Sequence, residues 1–131
     1  FYSQSLERLI LKTERMETMS EQFRKIEMHD HMAGGLGSVT IRHILNEREL
    51  NGKCRLYAQV TLKPGCSIGE HPHHGETETY YLLSGKGEYT DNGVARPVEA
   101  GEITFCEDGN THGLKNTGEE DLVFMALIIN G

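Results

Sequence analysis

The 131-residue chain carries 13 Lys and Arg against 20 Asp and Glu, a formal net charge of −7, with seven His, three Cys and no Trp. Apolar residues make up 37% and charged residues 25%, which fits one domain with a single modest core and excludes a disordered polyelectrolyte. No apolar run reaches the roughly 18 residues of a membrane span, and the longest candidate, residues 122–129, is strand-sized.

The charge is uneven. Residues 70–121 hold three basic groups (Lys86, Arg96, Lys115) and twelve acidic ones, whereas residues 1–69 hold ten basic and eight acidic. Phosphate contacts need clustered cations, so neither a nucleic acid nor an anionic membrane surface is an expected partner. Four of the seven His (His71, His73, His74 and His112) fall inside this acidic stretch. The three cysteines, Cys54, Cys66 and Cys106, are odd in number and form no C-x-x-C pair. Free thiols of a cytoplasmic protein are therefore expected. Leu9-Ile10-Leu11 is too short for a secretory apolar core. The chain begins with Phe1, and Met16 and Met19 are alternative starts.

In chain order, residues 5–27 read as helix, because Leu9, Met16 and Phe23, like Met19 and Ile26, recur at seven and form one apolar stripe. Thr18 and Glu21 match a capping box for a second, shorter helix. The spare apolar stripe makes a homodimer the expected assembly. His29-Asp30-His31 reads as solvated polar sequence leading into a flexible break at Gly34-Gly35-Leu36-Gly37. The expected organisation is an N-terminal helical or leader segment over 1–30 and a β domain over 31–131.

After Gly37 the period changes to two. Strands are expected over 39–45, 55–62, 77–83, 87–90, 94–98, 102–106, 112–116 and 122–129. Asn92-Gly93 is a strong hairpin signal between the fourth and fifth of these. Eight or so short strands at regular spacing, with glycine-rich turns, predict an all-β sandwich or barrel.

The chemistry concentrates in the segment from Gly65 to Gly85. His71 and His73 stand two apart, so in an extended segment both imidazoles share a face. Glu78 lies beyond a turn containing Gly75, which lets the chain swing back and bring the carboxylate to the same cavity. Two imidazoles and a carboxylate suit a divalent transition metal, and His112, just after a tight polar turn, is the candidate for a further ligand. His74 competes with His73 by adjacency but should point outward. Glu76 should likewise face solvent, the alternative being a role behind the metal ligands or in acid–base chemistry. If Glu78 points inward, alternation carries Tyr80 and Leu82 inward too. Tyr80 is thus a candidate to touch a substrate, as are Tyr57, Cys106 and one of His43 and Arg42, which face opposite ways.

These residues resemble the cupin family. Its first motif is matched at every spacing by Gly65, His71, His73, Glu78 and Gly85, and its second by Gly101, Gly109, His112 and Asn116. The one departure is Glu107, where the family usually has Pro. The resemblance spans about residues 38–130. It implies a single-domain small cupin of the conserved-barrel type, a jelly-roll β-barrel here carrying an N-terminal helical extension. It also implies His71, His73, Glu78 and His112 as ligands of a divalent ion (Mn, Fe, Zn or Ni), with Tyr80, Tyr57 and His43 as substrate-binding candidates. The expected function is a small metal-dependent enzyme of isomerase, dioxygenase or decarboxylase type acting on a compact oxygen-rich metabolite. The alternative is a non-catalytic small-ligand binder or sensor. Retention of Glu78 sets the chain apart from the thiol dioxygenase branch of the family.

Overall fold

Antiparallel pairing organises the chain from Ile26 onward. The computed structural model describes residues 24–131. Its strands are β1 (Ile26–Asp30), β2 (Ser38–His43), β3 (Cys54–Leu62), β4 (Ser67–Pro72), β5 (Glu76–Ser84), β6 (Lys86–Asp91), β7 (Val94–Glu99), β8 (Ile103–Cys106), β9 (Thr111–Asn116) and β10 (Leu122–Asn130). They form two antiparallel sheets, a six-stranded one in the order β1-β2-β3-β10-β5-β8 and a four-stranded one in the order β4-β9-β6-β7, packed as a jelly roll.

Period-two burial explains the sandwich. Along β5, Glu78, Tyr80 and Leu82 are buried, and along β10 Leu122, Phe124, Ala126 and Ile128 are. These meet Val39, Ile41, Val60 and Leu62 of β2 and β3 and, from the small sheet, Ile68, Tyr89, Val98 and Leu114. Each fully buried side chain of this kind contributes roughly 1.5–3 kcal/mol. Asn116 ties the two sheets. Its amide donates to the Leu62 carbonyl at 2.8 Å and the Glu120 carbonyl at 2.7 Å, and its oxygen accepts from Gly118 N–H. Asn92 (φ 49°) and Gly93 (φ 83°) both take the left-handed conformation that a two-residue hairpin requires, and they close β6 onto β7 as expected.

Two strands depart from the sequence reading. The expected helix lies outside the described residues as far as residue 23, as does the Thr18/Glu21 cap. Its last turn is corrected: Ile26 and Glu27 begin β1, which pairs with β2 from Ile26↔Arg42 to Asp30↔Ser38. The β2 edge would otherwise expose unpaired backbone groups, and this outweighs a helical stripe. The second is β4, where only a loop with an extended histidine pair was expected. Among the described residues the single α-helix is α1 (Glu47–Leu50), closed by a capping box between Asn46 and Glu49.

The Gly34-Gly35 stretch is a 3-10 turn, Met32–Gly34, packed hard on β4. A Cβ on Gly69 would lie 2.1 Å from the Ala33 carbonyl oxygen, and one on Gly35 2.2 Å from the Ser67 carbonyl oxygen. Glycine is obligatory at both positions because backbone meets backbone there. On the outside of the large sheet, Tyr81 and Leu83 of β5 and Ile103 and Phe105 of β8 are exposed, the last two at 64% and 51%.

Candidate metal centre

Four side chains from three neighbouring stretches converge inside the roll. β4 pairs with β9 so that His71 lies opposite His112, and a bulge between Ile68 and His71 turns the strand there. His73 follows β4 and is buried. Glu78 arrives from the large sheet on β5, also buried. One ligand atom from each of His71, His73, Glu78 and His112 lies within 4.8 Å of all the others. His74 is exposed, as alternation requires.

The ring orientations are fixed from behind. His71 Nδ1 donates to the Gly69 carbonyl oxygen at 2.8 Å, and His73 Nδ1 donates to the Glu76 carboxylate at 2.5 Å. His112 Nδ1 is 2.8 Å from the Tyr89 hydroxyl, and its ring stacks on Tyr80 at 4.8 Å. Carbonyl and carboxylate only accept, so in the neutral rings of His71 and His73 the proton sits on Nδ1 and Nε2 presents a lone pair. Those lone pairs point at Glu78 Oε1, which is 2.9 Å from His73 Nε2, 2.8 Å from His112 Nε2 and 3.5 Å from His71 Nε2. His73 Nε2 and His112 Nε2 are 3.0 Å apart.

A cation resolves this crowding of acceptors. Two donors each about 2.1 Å from one ion, and at right angles about it, are roughly 3.0 Å apart. The triangle of His73 Nε2, His112 Nε2 and Glu78 Oε1 has edges of 2.9, 2.8 and 3.0 Å, so the donor set fits a divalent ion. With no ion between them, protons on the imidazole Nε2 atoms take the cation's place: burial alone would raise the Glu78 carboxyl, but hydrogen bonds from His112, His71 and His73 so protonated outweigh it and hold the group far below the carboxylate range. Burial lowers the His112 imidazole, while the bond to Glu78 raises His73. Behind them, burial pushes Tyr89 up to about 12 and Cys106 up to about 11, so both stay protonated.

The group opens into a cavity of about 460 Å³ through His71, His73 and Glu78. Tyr80 and His43 line it. Tyr57 is not among the lining residues, where Arg55, Leu56 and Val60 represent β3. Cys106, buried beside Glu78 across the β5–β8 pair, is also absent from the lining. His29, read as solvated, lines the cavity rim with Glu27, because β1 brings it there.

For Glu76 the alternative reading fits better than the solvent-facing one: it holds His73 and is itself held by Arg55, whose Nε and Nη2 each donate at 2.7 Å. The signal was present, since residues 76 and 78 of one strand share a face. Tyr89 and the Gly69 carbonyl left no such trace, because they depend on pairing between strands distant in sequence.

A family model described as "Cupin domain" matches residues 58–128. The oxalate-binding protein of Thermotoga maritima is 44% identical over 103 residues, covering 79% of this chain and 85% of that relative. A crystal structure from the same organism, described as a predicted oxalate decarboxylase, superimposes with a TM-score of 0.80 at 40% identity, over 85% of this chain and 96% of that one. A cupin 2 conserved barrel domain protein from Salinispora arenicola gives a TM-score of 0.62 at 25% identity, over 71% and 76% of the two chains.

Proposed function

The chain belongs to the cupin family, and on that premise we propose that it binds a small oxygen-rich carboxylic acid, of the oxalate class, through a divalent metal ion. The observation that carries this is the triangle of His73, His112 and Glu78 ligand atoms, closed by His71 and open to a cavity. A divalent ion held there supplies Lewis acidity and open positions for a bidentate acid. The chain's own residues do the rest. Glu76, the Gly69 carbonyl and Tyr89 hold the imidazoles in place, and the buried Glu78 lowers the net charge of the site without using up its openings. The oxalate-binding relative supports this ligand class.

Conversion of the same acid, by a decarboxylase-type or isomerase-type reaction, is the second reading. It is favoured by the His43–Glu27 pair (2.9 Å), an imidazole and a carboxylate that both line the cavity. Calorimetry with oxalate on metal-free and Mn(II)-loaded protein tests the first reading. Heat of binding in the loaded protein alone is the expected result, and equal or absent binding in both would refute it. Product analysis of the same mixtures decides the second.

We further propose that a second copy covers the outer face of the large sheet, where Tyr81, Leu83, Ile103 and Phe105 are exposed together. Light scattering should give the mass of a dimer, reduced to a monomer's in Phe105→Glu.

A further inference from the structure

The shape and lining of the cavity say more about the ligand than the metal centre does. A two-carbon diacid fills on the order of 100 Å³, about three waters' worth. The cavity holds about 460 Å³. Between His71, His73 and Glu78 at one end and the polar groups of Glu27, His29, His43 and Arg55, its walls are apolar, formed by Ile41, Leu56, Val60, Ile68, Phe124 and Ile128. Water against such walls is displaced with a gain, so they favour a ligand that carries apolar surface of its own.

The charges around the cavity point the same way. Arg55 carries the one guanidinium or ammonium among the described lining residues, and the Glu76 carboxylate holds it through two hydrogen bonds of 2.7 Å. At the rim, His43 is held by Glu27 at 2.9 Å, and His29 lies 3.6 Å from the same carboxylate. The far end of the cavity therefore offers no uncommitted cation to a second carboxylate. One polar head at the metal and one apolar body along β2, β3 and β10 is the ligand that leaves nothing unpaired.

We infer that the cavity takes a monocarboxylic acid with a chelating oxygen beside the carboxylate and a short alkyl body, the class of 2-oxo and 2-hydroxy acids, in preference to oxalate itself. The inference rests on the metal-chelation reading above and adds the apolar body. The carboxylate and its neighbouring oxygen occupy the end near His71, His73 and Glu78. The alkyl carbons lie on Leu56, Val60 and Phe124, and the chain ends short of the His43–Glu27 pair.

The test is a chain-length series. Binding of pyruvate, 2-oxobutanoate, 2-oxopentanoate and 2-oxohexanoate to Mn(II)-loaded protein is measured by calorimetry beside oxalate. Each added methylene should tighten binding roughly fourfold, and 2-oxohexanoate should bind more tightly than oxalate. Leu56→Gln, which places an amide in the apolar wall and is used only where it still takes up one Mn(II) per chain, should flatten that dependence. Affinity that is level or falls along the series, with oxalate bound most tightly, overturns the inference and leaves the chelation reading standing. So does a full chain-length dependence retained in Leu56→Gln, which would put the alkyl body elsewhere. Binding of neither oxalate nor any oxo acid removes both readings.

Discussion

The two ends of one cavity are built on different terms. At the metal end, His71, His73 and His112 each have one nitrogen aimed at Glu78 and the other committed to Gly69, Glu76 or Tyr89. At the other end, Ile41, Leu56, Val60 and Phe124 contribute area and shape, with no directional bond among them. A polar cluster is specified atom by atom, because a lost partner leaves a buried group unpaired. An apolar wall is specified by volume, and similar shapes substitute with modest loss. Errors at the first end should therefore remove a function, and errors at the second should weaken the fold or change a preference.

The largest expected effect breaks the metal end outright. Glu78→Gln or His112→Ala should lower Mn(II) affinity by more than the 10–100-fold that loss of an outer-shell partner costs, measured by competition with a chromophoric chelator. Near-parental affinity in both would place the ion elsewhere. Next come the residues behind the ligands. Glu76→Gln and Tyr89→Phe should each cost about 10–100-fold in the same assay. Phe124→Ala tests the opposite end. A stability loss of about 3–5 kcal/mol is expected from urea unfolding, while the protein that remains folded keeps one metal per chain. Loss of metal in step with stability would dissolve the contrast between the ends.

The smallest effect lies at the rim. Hydrogen bonds from Lys25 and His43 hold the Glu27 carboxyl down at about 2, from an ordinary 4.5. A carboxylate shifted down on folding adds stability above about pH 4.5 and loses it as pH falls toward 2. The melting-temperature gap between parent and Glu27→Gln should accordingly be full at neutral pH and close across that window. A gap that widens on acidification would reverse the sign.

Period-two patterns made most of the sandwich legible, and β3, β5 and β10 stand within a residue of their expected bounds. The convergence of the candidate ligands was legible because the spacing of His71, His73 and Glu78 needs only one strand, a turn and the next strand. β1 was not, since Ile26 and Glu27 fit a helical repeat as well as a strand, and only the β2 edge selects between them. Arg55 was not legible in this way: the register shift between Ile128↔Leu56 and Ile129↔Cys54 passes over it, so strict alternation along β3 does not announce its place in the cavity lining.

The close passage of Gly35 and Gly69 has a consequence for how such a site can diversify. The 3-10 turn places Met32 and Ala33 in the cavity wall, and the same turn lies against the peptide whose carbonyl orients His71. Exchanging the side chain of Met32 or Ala33 changes the cavity wall, and for Met32 its packing on the core, while the turn keeps its length. Inserting or deleting a residue in the turn shifts Gly69 and, with it, the tilt of a ligand ring. New preferences at this wall are thus reached by replacing side chains at constant loop length.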